Sequence, residues 1–547
     1  MKRDEQDDER AMTTEPAAAS RSPQKMTDPP PDLLAGFAIT QPDKIALVED
    51  RLGEPVRTVT YGALNDAANQ IANALLRRGV KANDHVAWLG RNSIEIITFI
   101  AGAGKAGCLP VPLNHRVLRA EAVNLLSAYD VVFVWASSDL VGVLDGIEGD
   151  TKVESVVVFN GPTPPGRQSS ADFLDGVSND QPPAPEDRFL SSMGGFTSGT
   201  TGKPKRIMRD PTKGTLARER EHIDRIWTTD PQVFITSGAV SSGAAGGYYG
   251  IALSHGDTIV LQAKFDPEDW MRLVAKYRVS VAYLSPAVCR QICALPPEVR
   301  AKYDISSIHA VFAGAAKWTY AVKLMYRETF PENTLWEIYG STELASNTVM
   351  APWDHWGRPG SCGKPVVGVE IVLRDPDDQI VTTPQVKGVL YVRSAYTVGF
   401  LGYENEPEAT ADAIWGDYRT VGDIAYFDEE GFYYICDRNK DMIVSGGVNL
   451  YPQEIEAVVD SHPGVLECAV FGIPDELWGE AVHAVVVARP GVEMQPSDVT
   501  NYCRQHLSSD KVPRSVEFVS ELPHTLSGKV LKRALRDKYW ANAGSMV

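Results

Sequence analysis

Nine residues set the reading of this chain: Thr197-Ser198-Gly199-Thr200-Thr201-Gly202-Lys203-Pro204-Lys205. Hydroxyls, two glycines and two lysines crowd into one short segment. Backbone N–H groups exposed by glycine, Ser and Thr hydroxyls and ammonium charge are the groups that wrap a run of phosphates. The segment is not a Walker A loop, which needs GxxxxGK followed by Ser or Thr. Here Gly202-Lys203 follows Gly199 by three positions and runs into Pro204. A polar surface turn has much the same composition, so the loop acquires meaning only from what accompanies it.

Two more segments keep it company. In Trp336-Glu337-Ile338-Tyr339-Gly340-Ser341-Thr342-Glu343, a strand-like run ends in an aromatic, a glycine, hydroxyls and a carboxylate. Tyr339 could stack on a base, Thr342 could bond a phosphate, and Glu343 could hold Mg²⁺ through oxygen. Further on, Gly422-Asp423 sits in RTVGDIAYFDEEGFYYICDR, where one carboxylate could take both hydroxyls of a ribose. Taken singly, each is also compatible with an ordinary turn.

The rest of the chain frames these segments. Its 547 residues correspond to three or four domain-sized units at roughly 150 residues each. Hydrophobic residues make up 44% and charged residues 23%, the balance of a globular enzyme rather than a disordered chain. A net charge of −18 argues against broad binding to nucleic acid or anionic lipid. The seven cysteines are scattered without a CxxC pair. That pattern predicts reduced thiols and a cytoplasmic protein. The histidines form no HExxH or HxH, so no zinc site is expected. No apolar run approaches the ~18 residues needed to span a bilayer. Residues 1–30 are charged and then Ala/Ser/Pro-rich, without the apolar core of a secretory signal, and are predicted to be a disordered tail.

Helical and strand-like patterns alternate from about Asp32. Tyr61 to Arg78 places Leu64, Ala67, Ala68, Ile71, Ala74 and Leu75 at helical spacing, with Gly79 at its end. Short apolar runs at His85–Leu89, Cys108–Pro112, Val131–Trp135 and Val153–Phe159 read as strands. Such alternation predicts parallel sheets covered by helices. Residues 160–187, rich in Pro, Ser and Gly, read as a long surface connection. A composition change at Asp437–Asp441 precedes about 110 residues of mixed strand and helix. The expected fold is α/β: a tail over 1–30, a large multi-sheet domain over 31–438, and a smaller mobile α+β lid over 439–547.

Together, TSGTTGKPK, YGSTE, VGD, DRNKDMIVSGGVNLYPQEIE and LPHTLSGKVLKR occur in the order found in the adenylate-forming superfamily, which the chain resembles over residues 32–540. Within that superfamily it is most similar to acyl-CoA synthetases. The resemblance implies a lid that rotates between two half-reactions. In the first, a carboxylate attacks the α-phosphate of ATP, giving an acyl-adenylate and pyrophosphate. In the second, a thiol takes the acyl group and AMP leaves. It implies that Thr197, Ser198, Gly199, Thr200, Thr201, Gly202, Lys203 and Lys205 hold the β- and γ-phosphates. Gly314, Ala315 and Ala316 would flank the adenine together with Tyr339 and Gly340. Thr342 would reach the α-phosphate, Glu343 the magnesium, and Asp423 and Arg438 the ribose. Lys440 would be the hinge, Lys529 the adenylation lysine, and Gly446-Gly447 part of the thiol tunnel.

Some positions depart from the superfamily pattern. Arg206 follows the loop where glycine is usual, Val421 precedes Gly422-Asp423 where threonine is usual, and Lys317 stands where proline often does. The segment Ser237–Gly250 (SGAVSSGAAGGYYG) lacks the histidine that lines many acyl sites. Its small residues leave room for a ligand or for close backbone packing. It offers no arginine or histidine for a second substrate carboxylate, which favours an apolar monocarboxylic acid, either fatty or bulky alicyclic or aryl. Coenzyme A is the expected thiol, because no carrier domain follows the lysine motif. The 80 positions from Glu343 to Asp423 fit a ligase without an extra insertion. A stand-alone enzyme that loads a carrier protein, and a luciferase-like oxygenase, are the alternatives. A homodimer is compatible with the sequence.

Overall fold

The computed structural model describes residues 32–184, 207–209, 226–227, 232–394, 399–404, 406–438, 441–445, 448–475, 477–524 and 529–540. The segment 1–30, the loop Thr197–Lys205, the hinge position Lys440 and Gly446-Gly447 lie outside the described residues.

Among the described residues the N-terminal part is built on two large sheets. One has five parallel strands in the order Leu109–Leu113, His85–Leu89, Phe133–Ser137, Ser155–Phe159 and Gln168–Ser169. The other has fifteen strands. Its parallel run is Ile45–Glu49, Thr258–Leu261, Val233–Thr236, Val281–Leu284, Ala310–Ala313 and Leu335–Ser341. It continues antiparallel through Ala345–Met350, Ser361–Pro365, Tyr433–Arg438 and Asp423–Phe427.

The helices Tyr61–Arg77 and Ile94–Lys105 bury their apolar sides in a core that both sheets share. Thr60 caps the first by accepting from the Ala63 N–H at 3.2 Å, and Ser93 caps the second. Leu64, Ala68, Ile71, Ala74 and Leu75 are buried, as their spacing predicts. In the same core the Phe99 and Trp135 rings stack 5.3 Å apart.

Two sequence expectations need correction. The strand read at Val131–Trp135 runs from Phe133 to Ser137. Val131 still bonds the Leu126 carbonyl at 3.0 Å, so it belongs to the exit of the preceding helix. Residues 160–187 are not simply a surface connection. They carry the strand Gln168–Ser169 and the short helix Ser170–Leu174, with Phe173 buried. Their carbonyls accept from the side chains of Asn69, Gln70 and Asn73 on the Tyr61–Arg77 helix, so helix amides stand in for a sheet partner.

The C-terminal part is α+β. Gly479–Ala488 pairs with Val465–Asp475, Ile443–Ser445 and Ser515–Phe518, and Val448–Leu450 pairs with Ile443–Ser445. The helices Pro452–Asp460, Pro496–His506 and Lys532–Trp540 accompany this sheet. A buried charge cluster joins the two parts. Arg290, on the helix Pro286–Cys293, donates to Asp460 Oδ2 at 2.8 Å and to Glu467 Oε1 at 3.4 Å. His524 Nε2 lies 2.8 Å from the same Glu467 oxygen. Burial pushes the Asp460 carboxyl above its ordinary range, against the pull of Arg290. The hydrogen bond to Glu467 raises the His524 imidazole.

All seven cysteines are free and buried. Cys289 and Cys293 face each other one helical turn apart, with sulfurs 3.8 Å apart. Burial pushes the Cys108 and Cys362 thiols up to about 12.

Candidate active site

In an open parallel sheet, the strands' carboxyl ends leave a crevice where ligands bind. Most of the described candidate residues gather there. Leu335–Ser341 delivers Tyr339 and Gly340 and runs directly into Thr342 and Glu343. Its neighbour Ala310–Ala313 delivers Gly314, Ala315 and Ala316. A Cβ on Gly314 would lie 3.3 Å from the Ile338 carbonyl, so the two segments run side by side. The turn after Tyr339 is tight. A Cβ on Gly340 would sit 2.0 Å from the Ala345 carbonyl oxygen, which only glycine permits. The Ser341 hydroxyl accepts from the Leu344 N–H at 3.1 Å and closes the turn.

The ribose candidates meet across two strands. Asp423 and Arg438 are register partners on antiparallel neighbours. The Tyr339 hydroxyl donates to Asp423 Oδ2 at 2.5 Å, joining the adenine and ribose candidates in one contact. Gly422 enters the strand at φ +77°, and its N–H donates to the Thr420 hydroxyl at 3.0 Å. Lys317 reaches across to donate to the Ile435 carbonyl at 3.4 Å. Asp423 and Glu343 are both largely shielded from solvent, at 7% and 8% exposure, so charge placed on them acts through little water.

Glu343 is held by a residue that sequence reasoning did not single out. The Tyr403 hydroxyl donates to Glu343 Oε1 at 3.0 Å. The strand that ends in YGS is anchored by another such group. Lys323, fully buried, places Nζ 2.5 Å from Glu337 Oε2 and donates to the Ser361 carbonyl at 3.1 Å. Burial pushes the Glu337 carboxyl up against the pull of Lys323. Burial also lowers His355 beside it to about 3, so this imidazole is neutral and Nε2 donates to the Leu335 carbonyl at 3.0 Å. Spacing in the sequence gave no signal for any of these pairings.

The segment Ser237–Gly250 proves to be a loop leading into the helix Gly243–His255. A Cβ on Gly243 would lie 3.8 Å from the Thr342 hydroxyl, so the helix start abuts the phosphate candidate. Beside it a small recess of about 10 Å³ is lined by Trp88, Pro112, Val240, Ser241, Ser242, Gly243 and Gly246. None of these residues is charged. Lys529 stands next to Val530, which forms an isolated antiparallel bridge with His524.

Comparison with known proteins places the chain in a family. Residues 35–403 match the AMP-binding enzyme family and residues 454–529 match the AMP-binding enzyme C-terminal domain. The chain belongs to this family and is an adenylate-forming acid–thiol ligase of the acyl-CoA synthetase type. Among curated relatives it is 30% identical to a feruloyl-CoA synthase from Amycolatopsis sp., over 88% of this chain and 94% of that protein. It is also 30% identical to the fatty acid–[acyl-carrier-protein] ligase ScoC of Streptomyces coeruleorubidus, over 90% and 93% of the two chains. Among solved structures, ATP-bound MatB from Rhodopseudomonas palustris superposes with a TM-score of 0.78 at 26% identity, covering 93% of this chain and 98% of that one. No helix among the described residues is long and apolar enough to cross a membrane.

Proposed function

We propose that this enzyme activates an apolar monocarboxylic acid, fatty or bulky alicyclic or aryl, with ATP and passes the acyl group to coenzyme A. The observation that carries the reading is the abutment of Thr342 against an uncharged recess at the start of the Gly243–His255 helix. Gly243 lines the recess and lies against the Thr342 hydroxyl, so an acid drawn in beside this helix start would meet the α-phosphate at Thr342. Trp88, Pro112 and Val240 favour an apolar acyl group. The absence of a cation among the described lining residues disfavours a second carboxylate.

In this reading Tyr339 and Asp423 orient adenine and ribose, and their mutual hydrogen bond fixes both before the nucleotide arrives. Thr197–Lys205 takes the β- and γ-phosphates. One acid oxygen bonds to the α-phosphorus as the bond to the bridging oxygen breaks, and pyrophosphate leaves with that electron pair. Thr342 and Lys529 stabilise the charge gathering on the α-phosphate. The CoA thiol then gives up its proton to solvent, its sulfur bonds to the acyl carbon as the bond from that carbon to the phosphate oxygen breaks, and AMP leaves with that electron pair.

A magnesium ion fits the residues present. Glu343 offers one shielded carboxylate, and no group of three or more His, Cys, Asp or Glu among the described residues forms a cage for a metal. Mg²⁺ is commonly held in this way, by one or two carboxylates together with substrate phosphates. Glu343 would hold it, and the ion would supply positive charge to the triphosphate when bound. Residues 439–547 would be the lid that brings Lys529 in for the first half-reaction and Gly446-Gly447 in for the second, turning at Lys440.

A panel of carboxylic acids incubated with ATP, Mg²⁺ and CoA, read by mass spectrometry for acyl-CoA, tests the reading. Thioesters of apolar monocarboxylates are expected. Products confined to dicarboxylates would overturn the substrate class. The similarity to ScoC favours a second acceptor, a holo-carrier protein, to be run in parallel. Acylated carrier without acyl-CoA would replace CoA in the reading.

A further inference from the structure

We propose that Tyr403 is a positioning residue that orients the metal carboxylate Glu343. The proposal rests on the reading of Glu343 as the magnesium ligand. A glutamate side chain turns about three bonds and presents two equivalent oxygens. With the Tyr403 hydroxyl on Oε1 at 3.0 Å, the carboxylate is held in one orientation and Oε2 is the oxygen left to meet a cation. Groups that hydrogen-bond a ligating carboxylate in this way set metal affinity through geometry, typically by ten- to a hundredfold.

The tyrosine is itself clamped. The Thr410 hydroxyl accepts from the Tyr403 N–H at 2.9 Å and donates to the Glu406 carbonyl at 2.7 Å. The same side chain lies so close to the chain that a Cβ on Gly402 would meet Thr410 Cγ2 at 2.4 Å. The Phe400 ring meets the Tyr403 ring edge-on at 5.2 Å.

What Tyr403 is paired with gives this clamp its significance. Phe400–Tyr403 forms a two-stranded antiparallel sheet with Ile207–Arg209, with Tyr403 opposite Ile207. Ile207 comes two residues after Lys205, the last residue assigned to the phosphates. The strand that carries Tyr403 is therefore fixed in register by its partner at Ile207.

The test uses the full chain and titrates ATP by calorimetry at a series of Mg²⁺ concentrations and without Mg²⁺. Tyr403→Phe keeps the ring and removes the hydroxyl. It is expected to raise the Mg²⁺ concentration for half-maximal enhancement of ATP binding by roughly tenfold or more. Metal-free ATP binding and the ligand-free melting temperature should stay near wild type. Thr410→Val, which loses the clamp, should move the Mg²⁺ requirement in the same direction, and Thr410→Ser should restore it. Glu343→Gln is run alongside. If it abolishes the Mg²⁺-dependent enhancement while Tyr403→Phe leaves it unchanged, the role of Tyr403 is overturned and that of Glu343 stands. If Glu343→Gln also leaves it unchanged, both fail. Equal weakening of metal-free and Mg²⁺-dependent binding by Tyr403→Phe would make the hydroxyl merely structural and would overturn the proposal.

Discussion

Replacing Arg290 with methionine keeps a long, flexible side chain at the junction of the two parts and removes its charge. In the native arrangement the guanidinium faces two carboxylates, Asp460 and Glu467, and all three are largely withdrawn from water. Stripping one partner from a buried ion pair costs about 3–5 kcal/mol, because the charge left behind keeps its desolvation penalty. The Arg290→Met chain has a way out of that cost: the C-terminal part can leave its seat and let Asp460 and Glu467 hydrate. The docking equilibrium is therefore expected to shift by roughly a hundredfold or more, since each 1.4 kcal/mol is a factor of ten. Trypsin cleavage between 438 and 441, followed by intact mass, reports undocking through access to Arg438 and Lys440. Cleavage there should accelerate strongly in Arg290→Met. Adding Asp460→Asn and Glu467→Gln should recover much of the loss, since no buried charge is then left alone. The deficit should also shrink as pH falls toward the carboxylate range, because burial already disposes Asp460 to take up a proton. Cleavage rates within twofold of wild type at neutral pH would refute the assignment of this cluster as a tie across the junction.

His524 and Glu467 both belong to the C-terminal part, and their pairing stabilises that part with a definite sign. The His524 pKa is raised by Glu467, so the stabilisation is complete below the ordinary histidine value of about 6.5 and fades as pH rises through the shifted one. Chemical denaturation should report that loss over the interval, and His524→Gln should flatten it. Lys323→Met leaves Glu337 buried without its cation, and chemical denaturation should report a loss of about 3–5 kcal/mol; a loss under 1 kcal/mol would mean that Glu337 is neutral in the native protein. Lys529→Ala should abolish acyl-adenylate formation yet turn preformed adenylate and CoA into thioester at near the normal rate. Failure at both steps in a folded protein would refute the division of labour proposed for the lid.

Local chemistry made part of this molecule legible in its sequence. The Tyr61–Arg77 helix could be read from apolar spacing because one face meets a core and the other does not. The YGSTE turn could be read because Gly340 leaves no room for a side chain. Contacts that close over long stretches of chain could not be read. Tyr403 and Glu343 are 60 residues apart, and Arg290 and Asp460 are 170 apart. Each half of such a pair looks like a solvated polar residue until the partner is placed. Composition misled at residues 160–187, where Pro, Ser and Gly suggested a free connection. The polar side chains Asn69, Gln70 and Asn73, which seem to mark a wet helix face, in fact bind that connection through its carbonyls.

The seven cysteines have a practical consequence. Every native thiol is enclosed, and at Cys108 and Cys362 burial keeps the sulfur protonated far above neutral pH. Thiolate, the form that reacts with maleimides and disulfide reagents, is therefore scarce at these two positions, and the others are shielded by burial. A cysteine introduced at an exposed site on each part, for example at Leu324 and Leu477, would take up dye against a quiet background without removal of any native residue. The unaltered core thus permits a direct optical ruler across the joint, and the unmasking of native sulfurs becomes a separate clock for unfolding.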